Sequence, residues 1–195
     1  MTNKITEFHS IMPISNIPSV LQRGILSYLQ ASKLPHADIS MHEVQERRDR
    51  ARILGGSTLH SYANVYFHAR NPMMYKRQNN AEQLCVLRVS TEILKIQGVV
   101  VADQNAASDY VRFLTPCDIP LLNLDMIFAD DWTHSNDKIA YLRHKSMKCA
   151  EVLVPNCIGV EYIVGAYVVN DVVAAKMRTT GFVKAIEVNP NLFFK

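Results

Sequence analysis

The chain carries no Walker-type phosphate loop, no G-x-G-x-x-G turn, no G-x-S-x-G elbow and no H-E-x-x-H helix. The usual nucleotide-binding, serine-hydrolase and zinc-protease signatures are therefore missing. Its four cysteines, Cys85, Cys117, Cys149 and Cys157, form no C-x-x-C pair, and no histidine stands beside them at zinc-site spacing. No metal is expected, Cys85 and Cys149 read as buried thiols in apolar runs, and the cysteine usage suits a reducing cytoplasm. Long apolar runs are lacking too. Residues 160–175 are interrupted by Glu161, Asn170 and Asp171, and the N-terminus leads into no apolar signal region, so no membrane role is expected. A net charge of +3 is too small to demand a polyanionic partner, so the clustering of charge matters more than its sum.

What is present fits an ordinary globular chain. With 195 residues, 48% hydrophobic and 20% charged, one domain over residues 1–195 with a sizeable core is expected, and no linker or repeat divides it. Basic residues gather at Arg47, Arg48, Arg50 and Arg52, at Arg70, Lys76 and Arg77, and between Arg143 and Lys148. The run Lys148-Cys149-Ala150-Glu151-Val152-Leu153-Val154 reads as a core strand ended by Pro155. An ionised carboxylate in such a strand is costly unless something binds or pairs it. Two readings of Glu151 stay open on composition alone: a structural ion pair, or an acid working on an anionic substrate beside the cationic stretch 142–148.

In chain order, strands are expected over 5–11, 59–67, 84–89, 99–102, 148–154, 166–169 and 182–188. Helices are expected over 17–23, stopped by Gly24, and over 41–52, followed by the Gly55-Gly56 break. Further helices are expected over 91–96 with Ser90 as cap, through a mostly helical middle of 106–128, over 136–144 and over 171–177. Many short strands with helices grouped between them point to an α+β fold built on two packed sheets. The seven histidines are dispersed, and His9 stands out by closing a strand just before a turn.

Several segments, taken in order, match a known family. They are Phe8-His9, Asn16-Ile17-Pro18-Ser19-Val20-Leu21, Gln45-Glu46-Arg47-Arg48, Leu59-His60-Ser61-Tyr62, Val65-Tyr66-Phe67, Asn71-Pro72-Met73-Met74-Tyr75 and the strand holding Glu151. Together they resemble the DarT family of DNA ADP-ribosyltransferase toxins. The likeness covers roughly residues 5–78 and 130–170, and it departs from the family's spacing between His9 and Asn16. It implies an ADP-ribosyltransferase fold with NAD in a cleft between two small sheets. It also implies transfer of ADP-ribose to a base of single-stranded DNA, thymine first and guanine as the alternative, with release of nicotinamide.

The resemblance assigns catalytic roles to Glu151 and Arg48. It gives NAD contacts to His9, Ser10, Ile11, Asn16, Ser19, Ser27 and Arg48, and DNA contacts to Tyr75, Met73, Arg143, Lys145 and Lys148, with Trp132 as a second stacking ring. A macrodomain antitoxin is the implied partner of what would be a monomeric cytoplasmic toxin. The rival readings are a transferase of the same fold acting on RNA or protein, and a catalytically silent module that binds single-stranded nucleic acid.

Overall fold

The computed structural model describes residues 5–39, 42–53 and 57–195. Residues 1–4, Met41 and the Gly55-Gly56 break lie outside them. The chain opens with β1 (Glu7–Pro13), and Pro13, which has no N–H to donate, ends the strand. Helix α1 (Ile17–Arg23) starts with Pro18 in its first turn and stops at Gly24, whose φ of 77° suits glycine alone. A Cβ there would strike the Ile158 carbonyl, so glycine lets the chain pass close beneath its neighbour. Then come β2 (Ile25–Leu26), α2 (Tyr28–Ala31), α3 (His42–Arg50) and β3 (Tyr62–Tyr66). Helix α4 (Pro72–Lys76) is capped by the Asn71 side chain, which accepts from the Met73 and Met74 amides.

The second half holds β4 (Leu84–Ser90), β5 (Val100–Ala102), β6 (Phe113–Leu114), α5 (Leu124–Phe128) and α6 (Lys138–Met147). It ends with β7 (Glu151–Pro155), β8 (Cys157–Ile158), β9 (Ile163–Val168), α7 (Asp171–Arg178) and β10 (Ala185–Val188). The middle is less helical than its composition implies. Only α5 is α-helical between 106 and 128, because Pro116 and Pro120 confine residues 116–121 to a 3-10 turn that Thr115 and Asp118 cap reciprocally.

The α+β class expected from the sequence is present, with the strands in the order β10-β9-β4-β1-β3-β7-β5-β6 and β2-β8 as a separate ribbon. The eight strands form one hydrogen-bonded sheet with a weak seam. Strands β1 and β4 pair along seven residues, whereas β1 and β3 pair only at His9↔Tyr66. Two four-stranded halves therefore fork apart at His9, and past that residue β1 has no pairing with β3.

One face of the sheet packs Phe8, Val65, Phe67, Leu87, Val89, Val101 and Val152 into the main core. Phe8 meets Phe67 edge-on at 5.2 Å across the seam. The other face has a smaller cluster over β7, where Ile53, Leu59 and Ala106 cover Ala102 and Leu153. That cover lies beside Glu151 and brings α3 down onto the sheet. Among the described residues, no helix is long and apolar enough to cross a membrane.

Candidate active site

Partners directly opposite in an antiparallel sheet put their side chains on the same face. The register runs Gly165, Arg88, His9, Tyr66, Glu151 and Ala102 across β9, β4, β1, β3, β7 and β5. Residues separated by more than half the chain thus form one transverse row centred on the fork. At Gly165 the tight neighbour is the Ala185 carbonyl of β10, 2.9 Å from where a Cβ would sit, and Arg88 lies beside it in ordinary contact.

Glu151 is 1% exposed at the first position of β7. Both of its oxygens accept from Arg48 Nη1, at 3.1 and 3.3 Å, and Oε1 also accepts from the Ala106 N–H at 3.0 Å. Arg48, on α3, is 8% exposed. The two predicted catalytic residues thus form a buried pair, and such charges stay ionic only when paired and hydrogen-bonded. A second residue fixes the helix that carries Arg48. His60 Nε2 is 3.0 Å from Gln45 Oε1 and its Nδ1 is 3.5 Å from Asp49, so one ring grips α3 at two positions a turn apart. Tyr28 stacks on that ring at 4.3 Å. Burial and the nearby Arg48 charge lower the His60 pKa.

His9 is buried with both ring nitrogens engaged. The Ala69 N–H donates to Nδ1 at 3.1 Å, so the proton of the neutral ring sits on Nε2, which is 3.1 Å from Glu7 Oε1. Glu7 also accepts from Arg88 Nε at 2.7 Å and from the Tyr167 hydroxyl at 2.9 Å, and Arg88 continues to Glu187. Burial pushes the Glu7 carboxyl up, but the bonds from His9, Arg88 and Tyr167 together hold it down at about 2. Between His9 and Glu151 stands Tyr66, whose hydroxyl donates to Met73 Sδ at 3.3 Å. Burial and the Glu151 charge raise its pKa, so it remains a phenol. Burial and the same charge push the Cys149 thiol up to about 12.

Sequence reasoning missed Tyr66, Glu7, Arg88, Tyr167 and His60 as parts of the site. Tyr66 and His60 lie inside segments that carried the resemblance, but only pairing shows that Tyr66 faces Glu151.

The remaining expected residues divide. Ser27 is 1% exposed and its hydroxyl has no hydrogen-bond partner among the described residues, an orphaned polar atom that a ligand could satisfy. Ser19 is half-buried on α1. Ser10 points to the opposite face with Leu87 as register partner, and Ile11 is packed in the core. Past the fork, both would meet a ligand through the main chain rather than the side chain. The Asn16 amide is already used: it donates to the Ala37 carbonyl and accepts from the Ala37 N–H, each at 2.9 Å.

Tyr75 is 50% exposed, with Phe194 and Trp132 edge-on at 5.2 and 6.1 Å. Trp132 is buried, which rules it out as an open stacking face. Arg143 is exposed, and Lys145 sits over the Tyr141 ring at 5.3 Å.

Lys148 corrects the sequence reading. The basic stretch 142–148 forms the last turns of α6 and the residue after it, so the helix runs past the expected end at 144. Lys148 is 0% exposed, and its ammonium donates to the Ile127 and Ala129 carbonyls at 2.9 and 2.6 Å. It caps the C-terminal end of α5 and cannot reach a phosphate outside. Burial pushes it down to about 8. A surface groove of about 560 Å³, lined in part by Pro13, Pro18, Arg77 and Lys176, includes neither Glu151, Arg48 nor His9.

A family model described as ssDNA thymidine ADP-ribosyltransferase, DarT, matches residues 9–194. A DNA ADP-ribosyl transferase–DNA ADP-ribosyl glycohydrolase fusion protein of Thermosipho africanus is 28% identical over 204 residues, covering 100% of this chain and 51% of the fusion. The chain therefore spans about half the length of that relative. A DNA ADP-ribosyl transferase of a Thermus species is 29% identical over 161 residues, covering 76% of this chain and 74% of the relative. Thermus sp. 2.9 DarT has been solved with ADP-ribosylated ssDNA and with NAD+. Those structures give TM-scores of 0.85 and 0.80 at 22% and 20% identity, and cover 97% of this chain and 97% and 98% of theirs. They agree with it in fold.

Proposed function

Since the chain belongs to the DarT family of ssDNA thymidine ADP-ribosyltransferases, we propose that it transfers ADP-ribose from NAD to thymine in single-stranded DNA. The observation that carries this reading is the buried Arg48–Glu151 pair set in one row with His9 and Tyr66 at the fork of the sheet. A silent binding module would gain nothing from a fixed carboxylate held by a guanidinium in a dry site.

NAD, when bound, supplies an ADP-ribosyl group on a good leaving group, and departure of nicotinamide leaves positive charge on the ribose. Glu151 supplies fixed negative charge against it, already oriented by Arg48 and the Ala106 amide, so little reorganisation is needed. The same carboxylate holds a ribose hydroxyl and takes the proton lost by the attacking base nitrogen. A guanidinium is a poor proton acceptor, so Arg48 is not the base. It orients Glu151 and the diphosphate or the acceptor base. His9 Nε2–H rests on Glu7 Oε1 in the free protein, and a ribose hydroxyl of NAD would have to share or take over that bond to meet His9. Ser27, Ser19 and the main chain at Ser10 and Ile11 line the NAD side.

Arg143 and Lys145 meet the DNA backbone, Tyr75 stacks on a base, and Met73 holds Tyr66 in place. The fusion relative joins a transferase to a glycohydrolase, and we carry over a DNA ADP-ribosyl glycohydrolase, the macrodomain antitoxin, as this toxin's partner.

The test is mass spectrometry of oligonucleotides incubated with NAD and the Glu151→Gln variant, beside RNA, protein and guanine-only acceptors with the parent protein. Loss of thymine modification in the variant is expected. Undiminished modification, or a parent that modifies only the other acceptors, would overturn the reading.

A further inference from the structure

His9 has no ring nitrogen left over, since Ala69 and Glu7 use both. The neighbouring ring differs. His68 Nδ1 lies 3.2 Å from Lys148 Nζ, and the same ammonium donates to the Ile127 and Ala129 carbonyls. An ammonium has three N–H groups and no acceptor, so these contacts use all three and require a lone pair on His68 Nδ1. The ring proton then sits on Nε2, which has no hydrogen-bond partner among the described residues. Lys148 is fully buried and fixed at both carbonyls, so it holds this tautomer instead of merely permitting it.

The surroundings show what that donor can meet. The His68 ring centre is 6.2 Å from His9 and 5.5 Å from Phe128, with the rings tilted 45° and 43° to it, so the donor is bordered by aromatic rings. Strand β3 ends at Tyr66 and the chain bends at Phe67, which sets the His68 ring beside His9, in the row that leads to Glu151, and leaves it half-buried, within reach of a ligand. Burial, then the charge on Lys148, push its pKa down to about 3, so the ring carries no charge to attract a phosphate. Aromatic neighbours and an uncharged N–H donor suit a planar ring that carries a carbonyl oxygen.

We propose that His68 is a further substrate-contacting residue whose Nε2–H donates to a carbonyl oxygen, either of the nicotinamide carboxamide or of the acceptor pyrimidine. The identity of those two ligands rests on the transferase reading. Long-range ¹H–¹⁵N spectra of histidine-labelled protein, with His68 assigned through His68→Gln, test the proposal directly. The free protein should show the Nε2–H tautomer. Adding NAD without DNA, or oligothymidylate without NAD, should shift the His68 Nε2 signals in one arm, which identifies the source of the carbonyl.

His68→Phe keeps the ring packing and should weaken binding of that ligand about tenfold, the worth of one hydrogen bond. His68→Gln should restore part of it. An Nδ1–H tautomer overturns the proposal. So do unmoved His68 signals in both arms of a protein that modifies thymine normally, an outcome that leaves the transferase reading standing. Shifted His68 signals in a parent that modifies no base would support the contact and overturn the transferase reading instead.

Discussion

Removing one partner of the Arg48–Glu151 pair strands the other charge in a buried site, and that dominates the expected cost. In Arg48→Ala, Glu151 keeps only the Ala106 N–H at 3.0 Å, so a loss of about 3 kcal/mol is expected, at the lower end for a broken buried pair. Glu151→Ala leaves a guanidinium 8% exposed and also orphans the Ala106 amide, which raises the expected loss to about 4 kcal/mol. The double variant has neither charge, so it should lose about 2–3 kcal/mol less than the sum of the singles. Urea denaturation measures this, with midpoints shifting at constant slope. Additivity within about 0.5 kcal/mol would refute the idea that the two charges depend on each other. Glu151→Gln separates stability from chemistry. Its amide oxygen at the Oε1 position can still accept from both Arg48 and Ala106, so the guanidinium stays hydrogen-bonded and stability should fall by only about 1–2 kcal/mol, while turnover should drop at least about 100-fold through loss of the fixed charge.

The two basic positions Arg143 and Lys148 should part company. Arg143→Ala should weaken oligonucleotide binding and reduce its salt slope by about one, whereas Lys148→Met should leave the slope unchanged and cost about 1–3 kcal/mol by uncapping two carbonyls; equal slopes for parent and Arg143→Ala would count against the surface role. Glu7 gives a pH prediction. Its folded pKa of about 2 lies below the ordinary 4.5, so its contribution is fully present above pH 4.5 and is lost as pH falls from 4.5 to 2. That is worth about 1–2 kcal/mol after solvent screening, and Glu7→Gln should flatten stability across this window; an unchanged acid limb would refute it. Gly24→Ala should lower the melting temperature through a cost of about 1–3 kcal/mol, since φ is 77° and a Cβ meets the Ile158 carbonyl; unchanged melting would show that the segment relaxes freely.

Local rules read correctly wherever the deciding atoms are neighbours in the chain. Pro18 and Gly24 bound α1 as expected, Asn71 begins α4, and Ser90 accepts from the Glu92 amide at the turn it was expected to cap. The same rules failed where distant packing or prolines intervened, as in 106–128, where apolar content looked helical but Pro116 and Pro120 prevented a continuous helix. Asn16 fits a helix cap by type and position, yet its amide holds Ala37, 21 residues away in sequence.

By itself, the sequence determined that Glu151 is a carboxylate in an apolar strand, and its ordered motifs pointed to His9 and Arg48 as partners. Composition alone left open whether that carboxylate is a structural ion or a working acid, because its neighbours across the sheet depend on register. Only the tertiary structure joined β1 to β3 at the single pair His9↔Tyr66, set Glu151 next in that row and brought Arg48 down from α3. It also turned Lys148 inward, from a presumed phosphate contact to the pin that orients His68. A lysine's charge is written in the chain, but its exposure is set by what packs over it, and that depends on contacts far away in sequence.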